Sequence, residues 1–163
     1  LMNLKQTSDW QNFTQIESKS FITKNVRSWL LEEGPITKRI KSNGKFRLSL
    51  IRDEYSKITA WEKKFLGILN ERTKAREVIL YSNEKPFVYA RSIIPEVTIQ
   101  KGLDKLGNLG LKPLGDILFE NKFFTKDKTF FASFSDQEKA YIGRTTKYLV
   151  KNFPLSVMEI FLI

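Results

Sequence analysis

Apolar residues recur with a period of two in several parts of the chain, and this pattern predicts six β-strands. In KFRLSLIR, residues 45–52, apolar side chains alternate with basic and small polar ones. AREVILY and FVYARSII, residues 75–81 and 87–94, flank the polar segment SNEKP and predict a hairpin. Three more strands are predicted near the end of the chain, at residues 122–134, 140–151 and 154–162.

Helical periodicity occurs between these strands. Residues 24–33 place large apolar side chains on one helical face, and residues 61–71 form a second amphipathic pattern. Residues 35–45 are typical of a short helical turn followed by a tight turn, and residues 113–119 of a short helix with proline in its first turn. Because consecutive strands have short connections and do not alternate with helices, we expect an α+β fold with an antiparallel sheet.

The composition suits one compact domain covering residues 1–163. Hydrophobic residues make up 41% and charged residues 28% of the 163 positions, which is typical of a globular chain. No internal repeat or Gly/Ser linker is present, and no apolar stretch approaches the roughly 20 residues that span a bilayer. The first residues also lack the basic and apolar segments of a secretory signal. We therefore expect no membrane span and a cytoplasmic location.

Histidine and cysteine are both absent, and this narrows the chemistry. Disulfides, cysteine nucleophiles and Ser–His triads are excluded, and a zinc site made of carboxylates alone is uncommon. We expect no metal, and any proton transfer falls to Glu, Asp, Lys, Tyr or water. The formal net charge of +10 favours anionic ligands. Because the basic residues are spread along the chain without interleaved aromatics, we expect no nucleic-acid partner.

Charged residues also occur inside otherwise apolar strands. Glu159 lies in the terminal strand FPLSVMEIFLI, where a buried and unpaired carboxylate is unfavourable. It is therefore an edge residue that faces water, half of a buried ion pair, or a working acid. Arg76 and Arg91 lie in line with large apolar side chains, so each reaches out at a strand end or stays inside to bind an anion. The pattern leaves open both an internal Arg–Glu pair and a ligand pocket with a guanidinium and a carboxylate at opposite ends.

Four segments resemble successive blocks of the chorismate lyase family, and they occur in the family's order. The most telling pieces are Thr-Lys-Arg after the first helix, the Arg-Glu strand, Arg-Ser-Ile-Ile-Pro in the hairpin, Pro-Leu-Gly, and the final Glu before an apolar end. With the residues between them, the segments cover most of the chain from Trp29 onward. They are WLLEEGPITKRI (29–40), REVILYSNEKPFVYARSIIP (76–95), LGLKPLGDILF (109–119) and YIGRTTKYLVKNFPLSVMEIFL (141–162).

This resemblance implies a fold and a reaction. The family fold is a six-stranded antiparallel sheet flanked by small helices, with the ligand buried beneath two helical flaps. Chorismate lyase removes pyruvate from chorismate to give 4-hydroxybenzoate, the first committed step toward ubiquinone in many bacteria, and it needs no metal or organic cofactor. We therefore expect chorismate as substrate, 4-hydroxybenzoate as product, no cofactor, and a monomer.

The resemblance also implies site residues. Arg76 matches the arginine that grips the ring carboxylate, and Glu159 matches the glutamate near the hydroxyl of the product. These two are the predicted catalytic residues. Ile36 and Leu114 match positions whose backbone amides complete the carboxylate site. Arg91 matches a second arginine, for which we expect contact with the other carboxylate of chorismate.

A non-catalytic binding domain is the main alternative. The effector domains of certain GntR-type regulators, known as UTRA domains, resemble the same fold and carry an arginine in the corresponding hairpin. Such a domain would bind an aromatic acid without converting it. Glu159 together with Pro-Leu-Gly and Thr-Lys-Arg favours the lyase, because an effector domain has no need for this combination.

Overall fold

One antiparallel sheet of seven strands forms the centre of the molecule in the computed structural model, which describes residues 3–122 and 124–163. The α+β class with an antiparallel sheet is confirmed, and all six predicted strands are present. The expected number of strands was wrong, because a two-residue strand of polar residues pairs with Ser135 and Phe134 at one edge. Phe123, inside the predicted strand 122–134, lies outside the described residues. The strands are β1 (Lys5–Gln6), β2 (Phe46–Tyr55), β3 (Thr73–Ser82), β4 (Lys85–Pro95), β5 (Phe124–Ser135), β6 (Ala140–Val150) and β7 (Phe153–Phe161).

The strands lie in the order β1-β5-β6-β7-β4-β3-β2, so the last strand of the chain occupies the centre of the sheet. The β3–β4 hairpin turns at Asn83 and Glu84, whose φ angles of 50° and 63° place both in the left-handed region. A two-residue turn of this kind matches the twist of the flanking strands. The turn is therefore shorter than the predicted five-residue segment, and the strands reach Ser82 and Lys85.

Among residues 3–122 and 124–163, five short α-helices surround the sheet. The segment at residues 35–45 forms a complete helix of eight residues, whereas the helix predicted at 61–71 ends at Leu66 because Gly67 adopts a left-handed φ of 70°. None of the helices in the described part of the chain is long and apolar enough to cross a membrane. They are α1 (Phe13–Ile16), α2 (Lys24–Leu30), α3 (Ile36–Asn43), α4 (Ala60–Leu66) and α5 (Leu114–Asn121), with a π-helical turn at Thr98–Gly102 and a 3₁₀ turn at Asp104–Gly107.

The helices divide between the two faces of the sheet. Helices α1, α2 and α3 pack their apolar side chains on one face, against Val78 and Phe161 among others. Helix α5 packs on the same face, against Tyr148 and the end of β6. Helix α4 covers the opposite face, where Leu66 contacts the cluster around Ala75. The side chains of alternate strand positions therefore meet different helices, and helices α3 and α5 enclose a cavity on the first face.

Candidate active site

The cavity beneath α3 and α5 brings together four of the five predicted site residues. The space between its lining atoms, including a part that is open to solvent, is about 640 Å³. Leu48, Val78 and Leu80 contribute apolar walls from strands β2 and β3. The predicted residues that line it are Ile36, Arg76, Leu114 and Glu159.

Arg76 supplies a fixed positive charge to this cavity. It is only 2% exposed, and its Nη1 donates to Asp53 Oδ2 at 3.1 Å while Nη2 donates to the carbonyl of Lys112 at 2.9 Å. Burial lowers the pKa of Arg76 from its usual value, and the charge of Asp53 opposes that shift. The guanidinium remains charged near neutral pH because an arginine pKa starts so far above it.

Glu159 lies at the centre of the sheet and is not an edge residue. Strand β7, which carries it, is flanked by β6 and β4. Its carboxylate is 13% exposed and accepts a hydrogen bond of 2.8 Å from Nε of Arg144, directly across on β6. The ion-pair interpretation of Glu159 is therefore correct, with Arg144 as the partner. Because Glu159 also lines the cavity, the ion pair and the ligand pocket are parts of one arrangement.

Arg144 is the site residue that the sequence analysis missed. Its side chain is 9% exposed, and its Nη1 donates to the carbonyls of Leu30 and Glu32 at 2.8 and 2.6 Å. These bonds fix the connection between α2 and α3 to the sheet. The signal that singled out Arg76 was also present here, since Arg144 alternates with Ile142 and Tyr148 on one face of a strand.

Arg91 lies on the opposite face of the sheet and is not among the residues that line the cavity. Its Nε and Nη2 donate to the two carboxylate oxygens of Glu62 on α4, at 2.8 and 3.1 Å, and Glu77 lies 3.7 Å away. The cause is a β-bulge in the hairpin at Phe87 of β4, opposite Leu80 and Tyr81 of β3. The structure therefore does not bring Arg91 together with the other four predicted residues.

Ile36 and Leu114 are the first residues of α3 and α5, the two helices above the cavity, so their backbone amides lie at the helix N-termini. Each follows a proline, Pro35 or Pro113, with extended backbone at the helix start. The first amides of a helix have no acceptor within the helix, and the N-terminus carries partial positive charge. Two such amides at the rim of one cavity suit a bound carboxylate.

Two neutral polar groups complete the lining. Burial raises the pKa of the Tyr148 hydroxyl well above its usual value, and the negative charge of Glu159 adds to the effect. Tyr148 is therefore a neutral hydrogen-bonding group near neutral pH. Thr37 on α3 donates a hydrogen bond to Asp116 on α5, which joins the two covering helices. The cavity can hold a flat, largely apolar acid, with cations on two sides.

Comparison with known proteins agrees with this geometry. The family model for chorismate lyase matches residues 4–163. A chorismate pyruvate-lyase of Pectobacterium atrosepticum is 29% identical over 162 residues, covering 98% of this chain and 86% of that protein. A protein of Pseudoalteromonas translucida named "Probable chorismate pyruvate-lyase" is 26% identical over 170 residues, covering 96% and 92% of the two chains.

A solved structure with a similar fold comes from a different class of protein. The crystal structure of a GntR-family transcriptional regulator from Enterococcus faecalis aligns with a TM-score of 0.51 and 10% identity, covering 73% of this chain and 91% of that one. At this identity the likeness concerns the fold alone. The family model, in contrast, matches nearly the whole sequence, and the chain therefore belongs to the chorismate lyase family.

Proposed function

We propose that this protein removes pyruvate from chorismate and releases 4-hydroxybenzoate. One observation carries the proposal: a single cavity contains both Arg76 and the Glu159–Arg144 pair, on the same face of the sheet. The substrate is a dianion with a ring carboxylate and an enolpyruvyl ether. A site with positive charge on two sides and apolar walls between them is complementary to such a molecule.

The spacing of the polar groups supports this fit. Arg76 on β3 lies opposite Ser92 on β4, whereas Glu159 on β7 lies opposite Ala90. The backbone positions of Arg76 and Glu159 are thus about 10 Å apart across the sheet and about 7 Å apart along it. The Arg76 guanidinium bonds toward β2 and the Glu159 carboxylate bonds toward β6, so the space over β4 between them is left for a ring. The ring carboxylate then meets Arg76 and the amides of Ile36 and Leu114, and the ring hydroxyl meets Glu159.

The reaction is an elimination that makes the ring aromatic. The bond between the ring carbon and the ether oxygen breaks, and its electron pair leaves with enolpyruvate, which is protonated to pyruvate. The ring carbon that bears the hydroxyl loses a proton, and this loss balances the proton that enolpyruvate takes up. Since aromaticity supplies the driving force, the protein's main contribution is to hold and orient the dianion. Glu159 accepts a hydrogen bond from the ring hydroxyl and so orients the carbon whose proton leaves.

The direct test is to mix the purified protein with chorismate and to follow 4-hydroxybenzoate and pyruvate together. The proposal predicts that both products appear in equal amounts, faster than in a protein-free control. Chorismate that decays only at the control rate would contradict the proposal.

As in the family, we place the reaction at the first committed step toward ubiquinone. The cytoplasmic location and the monomeric state stay predictions.

An aromatic-acid effector domain is the second candidate function, and the fold it shares with the GntR-family regulator supports it. Both candidates predict that 4-hydroxybenzoate binds in the cavity, so binding alone does not separate them. Turnover does, because an effector domain releases chorismate unchanged. The carboxylate of Glu159 beside the ligand space favours the lyase, since apolar side chains suffice to enclose an aromatic ring.

A further inference from the structure

The proposed substrate carries two carboxylates and the proposed product carries one. This inference rests on the proposed function and concerns the second carboxylate, which leaves with pyruvate. Few cationic side chains line the cavity. In the proposed complex, Arg76 binds the ring carboxylate together with the amides of Ile36 and Leu114. A second cation is needed near the ether, on the side of the cavity where Glu159 lies.

Arg144 is the cation on the side of the cavity where Glu159 lies. It lines the cavity and lies beside Glu159, with Nε 2.8 Å from a carboxylate oxygen. Its hydrogen bonds to the described residues use Nε and Nη1, which leaves the two hydrogens of Nη2 for a ligand. The bonds to Leu30 and Glu32 hold the guanidinium plane in one orientation, so little further ordering is required when a carboxylate binds.

The two other cations nearby, Arg91 and Lys126, do not line the cavity. Arg91 lies on the opposite face of the sheet, where it is paired with Glu62 and Glu77. Lys126 lies opposite Tyr148 on the cavity face of the sheet and donates its Nζ hydrogen to the carbonyl of Glu33 at 2.8 Å, but it does not belong to the cavity lining. Burial lowers the pKa of Lys126, and the neighbouring charge of Arg144 lowers it further.

We propose that Arg144 binds the enolpyruvyl carboxylate of the substrate through Nη2 while its Nε holds Glu159 at the ring hydroxyl. Arg144 then recognises the substrate and not the product. Once pyruvate has left, the remaining aromatic acid keeps its contacts with Arg76 and Glu159 but makes none with Nη2 of Arg144. The residue therefore sets the affinity for the dianion relative to the monoanion.

The test compares two aromatic ligands that do not react. 4-Hydroxybenzoate carries the ring carboxylate alone, and 3-carboxymethoxy-4-hydroxybenzoate adds a second carboxylate on an ether next to the hydroxyl. Dissociation constants are measured by calorimetry for the wild type, Arg144→Met and Arg144→Lys. We expect Arg144→Met to weaken the dianion at least about tenfold more than the monoanion. Arg144→Lys, with a point charge in place of the fork, should fall between the two.

A purely structural role for Arg144 predicts a different result, since displacement of Glu159 or of the α2–α3 connection weakens both ligands equally. Equal weakening would overturn the proposal, as would a selective loss of the dianion in Arg91→Met. Arg47→Met is the matched control for the loss of one positive charge, because Arg47 lies on β2 with 45% of its side chain exposed. If Arg144→Met does not fold, the comparison between Arg144→Lys and the wild type decides.

The comparison of ligand binding does not depend on whether the protein converts chorismate. Selective binding of the dianion through Arg144 without turnover of chorismate would support the assignment of Arg144 and reject the proposed reaction. Turnover of chorismate without any selective effect at Arg144 would support the reaction and reject the assignment.

Discussion

Arg76 and Glu159 lie on the same face of the sheet with a single strand, β4, between them. Arg76 is opposite Ser92 of that strand, and Glu159 is opposite Ala90, two residues away. Both side chains enter the cavity covered by α3 and α5. This relationship places a guanidinium and a carboxylate in one cavity.

Replacement of Arg76 by methionine should weaken the binding of 4-hydroxybenzoate by about 30-fold or more, because a charge-assisted contact with a carboxylate is worth about 2 kcal/mol. Calorimetric titration measures this directly. Arg76→Lys should recover part of the affinity, because it keeps the charge without the paired donors. Arg47→Met again serves as the control for net charge. Affinity of Arg76→Met within twofold of the wild type would show that the ring carboxylate binds elsewhere.

The hydrogen bond from Thr37 to Asp116 joins the two helices that cover the cavity. Thr37→Val keeps the size of the side chain and removes the hydroxyl, so the helices should separate more often. We expect the dissociation rate of 4-hydroxybenzoate to rise about fivefold, which corresponds to a loss of about 1 kcal/mol. Stopped-flow displacement measures the rate, and Thr125→Val on an exposed part of β5 is the control. An unchanged dissociation rate would show that these helices do not limit release.

Gly143 allows β6 and β7 to approach closely behind Glu159. A Cβ atom at this position would lie 2.8 Å from Phe134 Cε2 and 3.1 Å from the backbone oxygen of Glu159. Gly143→Ala should therefore lower the free energy of unfolding by about 1 to 3 kcal/mol. Urea denaturation tests this, with Gly115→Ala as a matched change because a Cβ there meets no atom within 4 Å. Equal stability of Gly143→Ala and the wild type would contradict the close approach.

The Glu62–Arg91 pair on the opposite face should make stability depend on pH. Burial alone raises the pKa of Glu62, but the hydrogen bonds from Arg91 and from the Thr59 backbone outweigh it and hold the pKa below the usual 4.5. A group with a lowered folded pKa stabilises the protein above its unfolded pKa, and that contribution is lost as the pH falls through the folded value.

Glu62→Gln tests this pair while keeping an acceptor for the Thr59 amide. Near pH 7 the variant should be less stable than the wild type by about 2 kcal/mol. The difference should shrink below pH 4.5 as Glu62 becomes protonated in the wild type. Urea denaturation at several pH values measures it. A difference that stays constant down to pH 3 would mean that the ion pair does not contribute.

Much of the sheet was predictable because its strands alternate apolar and polar residues with little interruption. The faces assigned to Arg76 and Glu159 from the period of two agree with the structure. The strand β1 was missed because Lys5 and Gln6 are both polar and exposed, so no alternation marks them. Only the pairing with β5 makes this segment a strand.

The partner of Glu159 was missed because the register of β6 against β7 was not predicted. The left-handed residues at the β6–β7 turn, Lys151 and Asn152, bring Val150 opposite Phe153, and this register continues to Arg144 and Glu159. A two-residue turn recognised there would have given the pair. Lys-Asn is a weaker turn signal than Asn-Gly, and the predicted boundary fell elsewhere.

The location of Arg91 depends on a β-bulge in the β3–β4 hairpin, which the sequence pattern does not indicate. Counting back from the β3–β4 turn without interruption would place Arg76 opposite Arg91. The bulge beside Leu80 shifts the pairing by one residue, so that Arg76 meets Ser92 and Arg91 meets Glu77. A shift of one residue exchanges the two faces of a strand. For this reason Arg91 contacts α4 and not the cavity.

The most direct test of the central claim is the rate of 4-hydroxybenzoate formation from chorismate by the wild type, Arg76→Met and Glu159→Gln. The two altered residues come from different strands and share only the cavity. The proposed site predicts turnover by the wild type and a loss of at least about 100-fold in kcat/KM for each variant, with Arg47→Met close to the wild type. Both variants turning over chorismate at the wild-type rate would contradict the claim that this cavity is the active site.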